Sequence, residues 1–498
     1  MLGILLMSSC SEKLDLAPVS SISDGNFWQT PEQVDVFVTG LHGRFRSNVG
    51  QFQYLGEMRS DIFGTDPGSS SAFTGEATQG VERLWLNNLD LDNAGVGNFG
   101  GFYANINQLN LLISKLNSTN IVTDANKKYY LGIAYGMRAY YYFQMYRSWG
   151  KVIIETEPTT SIDISNLAKA ASSEADVMKL IKEDIGSSET NFGTNYTFRN
   201  TKSFWSKAAT LMLKAEVYLW TSYRGGGTAD ATIAKNALTE IQSNVGAALL
   251  PSFANVFTSA NKGNAEIIFA VRNKLDEAGL PISGTFLPQS GLIANFYDSV
   301  GARKFNVTTD NWGGLLRAPI KIATFRRFND KDSRKWATIQ PAYNLVGTTY
   351  QIAGAFVSKF QGEQTPGGRQ YTNDYPIYRN ADLLLLLAEA KVILGEDPTA
   401  EINLVRARAY GTNYSAAVYG YPNQPVDVNA KQAILQERFF EFLFEGKRWY
   451  DLRRMGDSYV YAFTTVLSSE AYKLLWPIDR SSLTNNRSLE QNPGYPKF

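Results

Sequence analysis

Apolar positions recur at helical spacing over much of this chain, most plainly at 437–456, ERFFEFLFEGKRWYDLRRMG. There Leu435, Phe439, Phe442, Gly446, Trp449 and Leu452 fall three or four residues apart, which puts them on one face of a long helix. A second line, Glu441, Glu445, Arg448, Asp451 and Arg454, alternates acid and base from Glu445 onward, at spacings that let neighbours pair along the helix. Gly446 sits inside the apolar stripe, where the missing side chain lets another backbone come close.

The same periodicity predicts a helix over 102–116, with Ile106, Leu109, Ile113 and Leu116 on one side, and another over 127–150 that stops at Gly150. Two helix pairs follow. One is 204–220 with 228–245, joined by Arg224-Gly225-Gly226-Gly227; the other is 381–394 with 399–410, joined by Gly395-Glu396-Asp397-Pro398. Ala208, Ala209 and Ala215 in one pair, and Ala388, Ala390 and Ala407 in the other, mark close helix crossings. Paired helices of this kind are tetratricopeptide-like, although the repeat is degenerate and its units lie far apart. Residues 251–370 lose helical periodicity and are rich in Gly, Pro, Asn and aromatics, so they read as long loops and short strands on a helical frame. The stretch before residue 101 is punctuated by Gly, Ser and Asp and reads as mixed. The expected fold is therefore mainly α, with helix pairs supporting a loop-rich region that carries short strands.

Composition narrows the function classes. The 48 basic and 47 acidic residues nearly balance, so there is no basic field for nucleic acid. The longest internal apolar run, 383–388, is far too short to cross a bilayer. The one cysteine, Cys10, ends the segment MLGILLMSSC, an apolar run followed by small residues and Cys. That is the layout of a bacterial lipoprotein signal, whose cysteine is lipidated and becomes the mature N-terminus. The run is short and no Lys or Arg precedes it, which implies a start further upstream or a trimmed chain. A stray reduced thiol is the alternative, but a chain with no second cysteine fits the lipid better. Residues 1–10 are thus read as a signal remnant and 11–25 as a polar tether containing Pro18, while length alone suits two to four domains or one large helical domain over 26–498.

Catalytic constellations are sparse. His42 is the only histidine, so a histidine-ligated metal site lacks partners, and no G-x-S-x-G elbow accompanies it for a serine triad; it reads as an ordinary helix-end residue. The run 95–100 matches G-x-G-x-x-G but follows no buried strand, and reads as a bend. The pairs Asp61 with Asp66 and Asp90 with Asp92 lie in polar segments, without the apolar pocket a protonated catalytic acid requires. Loop aromatics carry more information. Trp85, Phe286, Tyr297 and Trp312 stand among Gly, Asn, Asp and Ser, and Asp66, Asn87, Asn88 and Arg317 are close to them in sequence. A flat ring covers the C–H face of a sugar while Asp, Asn or Arg bridges its hydroxyls. For any one ring, local loop core is the plainer reading. No cofactor is expected, and a structural calcium ion would leave no fixed spacing to read.

Motifs in the frame carry a family resemblance. The segment LDLAPVSSISDGNFWQTPEQ after Cys10 ends in a Phe-Trp pair; YANINQLNLLI presents Tyr103, Ile106 and Asn110; MRAYYYFQMYRSWGKV closes on Trp149-Gly150. They are followed by YPIYRNADLLLLLAEA, INLVRARAY, the 437–456 string and LLWPIDRSSLTNNRSLEQNPGY. In this order they resemble the SusD/RagB family of Bacteroidetes nutrient-binding lipoproteins. One departure is Lys151-Val152-Ile153-Ile154, which lacks the proline usual after the aromatic-Gly pair and leaves the local chain direction open. The resemblance implies a helical protein with tetratricopeptide-like units, tethered by lipid to the outside of the outer membrane. It also implies a partner, a TonB-dependent transporter of the SusC type, and noncatalytic binding of a glycan or, in some relatives, a peptide. A protein-binding adaptor and a glycoside hydrolase remain as other classes.

Overall fold

Thr30 fixes the start of the first helix. Its hydroxyl accepts the Gln33 N–H, and the Gln33 side chain accepts the Thr30 N–H in return, a reciprocal cap ahead of Pro31. This is α1 (Pro31–Ser47), in a computed structural model that describes residues 27–65, 80–96, 99–159, 168–299 and 303–498. The lipidation candidate Cys10, the tether and the candidate ligand residue Asp66 lie outside the described residues. The other long helices are α2 (Val49–Glu57), α3 (Tyr103–Ser118), α4 (Asp124–Trp149), α5 (Glu174–Phe192), α6 (Lys207–Thr221), α7 (Gly227–Val245), α8 (Asn380–Ile393), α9 (Thr399–Tyr410), α10 (Ala430–Phe442) and α11 (Arg448–Met455). Side chains of Thr123, Ser173, Ser206 and Asn429 cap α4, α5, α6 and α10, each worth about 1 kcal/mol.

The helices stack in chain order. α3 packs on α4, α4 on α5, α5 on α6, α6 on α7, α7 on α8, and α8 on both α9 and α10. The sequence pattern placed α3, α4, α6, α7, α8 and α9 to within a few residues. It passed over α1 and α2 in the region read as mixed, and α5. The Lys151–Ile154 stretch begins in a bend and forms no regular element, with the Ile153 N–H donating to the Tyr103 hydroxyl (2.8 Å). The second half of α4 is buried on nearly every side, as befits a central helix. Gly136 is why α6 can start beside it: a Cβ there would lie 2.1 Å from the Trp205 indole nitrogen. In α8 the run Leu383 to Leu387 is wholly buried, each leucine contributing ~1.5–3 kcal/mol.

The long helix expected at 437–456 is two. α10 ends at Phe442 and α11 begins at Arg448, with Phe444 (φ 72°) and Gly446 (φ 68°) left-handed between them. The turn is held from outside: the buried Glu57 carboxylate at the end of α2 accepts the Phe444 N–H (2.6 Å) and the Gly446 N–H (3.1 Å). The close approach expected at Gly446 is present, because a Cβ on Gly56 would fall 1.7 Å from the Gly446 carbonyl oxygen.

The charged line is corrected too, since only Asp451 and Arg454 pair along the helix (2.8 Å). Arg379 meets Glu445, Glu441 and Glu266; Arg408 meets Glu266 and Glu441; Arg334 meets Asp332, Glu437 and Glu441. Arg406 joins Glu437 to Asp427, and Arg448 forks onto Asp61. These groups are buried, so the stripe is a seam between distant parts of the chain and not a solvated face.

Strands are short and antiparallel: β1 (Ile267–Val271) with β6 (Tyr375–Arg379), β2 (Ile339–Val346) with β3 (Thr349–Val357), and β4 (Glu363–Thr365) with β5 (Gly368–Gln370). All but β6 fall within the 251–370 region. No helix among the described residues is long and apolar enough to cross a membrane.

Candidate ligand-binding face

The two-stranded β2–β3 hairpin is bridged to other segments along both of its edges. On one side Tyr297 and Tyr343 exchange backbone hydrogen bonds, both 2.9 Å, and Tyr297 also bridges to Lys304. On the other side the Ile320 N–H donates to the Ala355 carbonyl (3.2 Å), and Ile320 in turn bridges to Phe63. Segments far apart in sequence are thereby tied to the hairpin by single bridges. Gly64, which follows Phe63, carries the contact with Trp85: a Cβ there would lie 3.3 Å from the indole edge and 3.1 Å from the Lys321 side chain.

One face of this sheet is aromatic. Leu345 lies opposite Tyr350 and Tyr343 opposite Ile352, and directly opposed residues share a face. Tyr297 joins them, its ring 5.1 Å from the Tyr350 ring at 76°. Tyr297, Tyr343, Tyr350 and Ile352 are half-buried and Leu345 is exposed. Beside them Arg303 pairs with Asp298 (3.0 Å) and with Asp310, and the Gln340 amide donates to the Asp298 carbonyl (3.2 Å).

The sequence candidates divide. Tyr297 belongs to this face, Arg317 is half-buried in the segment leading to Ile320, and Asn88 is exposed beyond Trp85. Phe286 is corrected: it is fully buried between Tyr54, Phe63 and Phe444, a core ring closing a short helix. Asn87 is also structural. It is 1% exposed with φ 52°, accepts the Arg59 guanidinium (2.7 Å) and donates to the Thr465 hydroxyl (3.0 Å). Trp85 and Trp312 are 7% and 8% exposed. Trp312 packs edge-on against Phe356 at 5.3 Å with the Arg369 guanidinium 4.6 Å over its ring, so little of either indole is open to solvent. Among the acids, Asp61 is buried: desolvation raises it, but Arg448 and Arg327 outweigh that and hold it well below the carboxylate range. Asp92 pairs with Arg480 (2.8 Å), and Asp90 accepts backbone N–H groups of Asp92 and Asn93.

Sequence reasoning did not single out Tyr343, Tyr350 or Trp336, all partly exposed to solvent. The two tyrosines could have been found from the alternation in 339–352, since a strand pair puts every second residue on one face. Trp336, 50% exposed on a six-residue helix, gives no such signal.

His42 lies inside α1, not at its end. The Trp205 N–H donates to Nε2 (3.0 Å), so Nδ1 carries the proton, which it donates to the Val38 carbonyl (2.8 Å). Burial lowers the ring to about 4, opposed by the Val38 bond, and the ring stacks on Phe204 at 4.2 Å. This histidine is neutral and occupied at both nitrogens.

Helix pairs stacked in chain order thus carry an aromatic hairpin face on inserted loops. Two family models match, "SusD family" over residues 327–495 and "Starch-binding associating with outer membrane" over residues 14–219. The NanU structure from B. fragilis is 45% identical, covering 97% of this chain and all of that one, with a TM-score of 0.89. A SusD superfamily protein from Bacteroides vulgatus is 40% identical over 94% of this chain and all of that one, with a TM-score of 0.86. SusD-like protein P38 from Formosa agariphila is 27% identical over 99% of this chain and 97% of its own length. The chain belongs to the SusD/RagB family.

Proposed function

We propose that this protein captures an oligosaccharide on the aromatic sheet face and releases it unaltered to a TonB-dependent transporter of the SusC type. Lipid on Cys10 would hold it to the outside of the outer membrane, and binding needs no cofactor. The observation that carries this reading is the Tyr297–Tyr350 pair, half-exposed rings fixed by backbone pairing with Asp298 and Arg303 beside them. Rings held this way offer a C–H-stacking surface at little conformational cost, and the ion pair can bridge hydroxyls. The family description of starch binding and outer-membrane association supports it. So does the match to the starch-binding protein SusD from Bacteroides thetaiotaomicron, 32% identical over 130 residues, 24% of this chain.

The test is electrophoretic retardation in native gels cast with a panel of soluble glycans, starch included. Wild type is retarded by at least one glycan, and Tyr297→Ala or Tyr350→Ala weakens that binding by ~2 kcal/mol, roughly thirtyfold. Melting should shift little, because the backbone bonds at these positions survive. Retardation equal to wild type in both variants, capture of peptides with no glycan bound, or cleavage of the glycan would each overturn the reading.

A further inference from the structure

Gln144 Oε1, Arg147 Nε and Tyr375 Oη are buried and have no hydrogen-bond partner among the described residues. All three residues line one internal cavity. Gln144 and Arg147 stand one turn apart on α4, and Tyr375 opens β6. The rest of the lining is well paired. Glu216 accepts from Arg147 (3.4 Å) and from the Tyr378 hydroxyl (2.8 Å), and the Lys447 ammonium donates to Asp382 (2.6 Å). Gly446, in the turn before α11, completes the wall, and a Cβ there would lie 3.1 Å from Tyr375 Oη. Every lining residue except Gly446 is buried, so the space is internal. The centre of a water molecule can occupy ≈ 20 Å³ of it. A buried polar group without a partner is costly, and cores seldom gather three around one space.

We propose that this cavity is a binding site for one fixed water molecule. The water accepts from the Arg147 Nε–H, donates to Gln144 Oε1 and bonds to the Tyr375 hydroxyl, which can give or take a proton in the bond. The room is enough for a water and too small for a sugar, and three polar groups fall within the two to four that a buried water needs. Charge excludes the ionic occupants. Arg147 and Lys447 on the wall repel a cation, while Glu216 and Glu445 repel an anion. A neutral molecule that both donates and accepts is what remains. Held there, it ties α4 to β6 beside the turn before α11, segments far apart in sequence. The site is separate from the tyrosine face and does not depend on which ligand that face takes.

The experiment is a high-resolution crystal structure of the wild type, joined to water relaxation dispersion by NMR, which counts waters held inside the protein in solution. The crystal should show one ordered water about 2.7–3.2 Å from Arg147 Nε, the Gln144 amide and Tyr375 Oη. Gln144→Met keeps the length of the side chain and removes the acceptor, so the dispersion should fall by the equivalent of one water. Tyr375→Phe leaves two partners and should keep the water with a shorter residence time. Empty density at that point, a peak with the shorter contacts of a metal ion, or dispersion in both variants identical to wild type would each overturn the proposal. If Gln144→Met does not fold, the wild-type density alone decides it.

Discussion

At the scale of single residues the chain keeps much of its charge inside, and His42 shows what burial does to a titrating group. Above the ordinary imidazole value of 6.5, the ring is neutral in the folded and the unfolded chain alike. Between 6.5 and about 4 the unfolded chain takes up a proton that the folded ring refuses, so stability falls as pH falls. Below about 4 the loss is complete, about 3 kcal/mol. His42→Gln keeps an acceptor for the Trp205 N–H but does not titrate. Denaturant unfolding across this pH range should show a shallower acid decline for H42Q than for wild type. Equal slopes would mean that the ring is not protected. Residue identity revealed none of this: a lone histidine reads as bland, and its bond to a residue over a hundred and sixty positions away has no sequence signature.

At the scale of elements, local pattern was a good guide wherever a helix is its own explanation. α3, α4, α6 and α7 were visible because the apolar spacing that makes each a helix lies within its own segment. The break between α10 and α11 was not visible, because the cause is Glu57 on α2, nearly four hundred residues away, seizing two backbone N–H groups. The charged stripe misled for the same reason: spacing along a helix proposes neighbours on that helix, whereas Arg379, Arg408 and Lys359 arrive from elsewhere.

Two glycines separate these causes. Gly56→Ala would drive a methyl into the Gly446 carbonyl at 1.7 Å, backbone that cannot swing aside, and should cost more than ~3 kcal/mol. Gly43→Ala, inside α1 with nothing within 4 Å, should be neutral or stabilise by ~0.5–1 kcal/mol. Thermal melting of the two variants checks this, and a G56A protein melting at the wild-type temperature would refute the tight α2 contact.

At the scale of the molecule, one cluster of buried apolar side chains runs from Trp28 to Leu489, with the buried ion pairs threaded through its C-terminal part. Replacing such pairs by well-packed apolar residues can stabilise a protein, so their value here lies in fixing how distant segments meet. That rigidity lets loops between residues 251 and 370 hold half-exposed tyrosines in place. The sequence marked the loop-rich region and named Tyr297, one ring of the half-exposed tyrosine face. It could not separate buried from open rings, because Phe286 and Trp312 owe their burial to Phe63, Phe444 and Phe356, which only the fold brings near. The most direct test is a crystal structure of the protein with the tightest-binding oligosaccharide of the panel. The sugar should lie across Tyr297 and Tyr350 with hydroxyls at Asp298 or Arg303, uncleaved. A sugar lodged anywhere else, for example in the cavity beside His42 and Arg272, with the tyrosine face bare, would contradict the account.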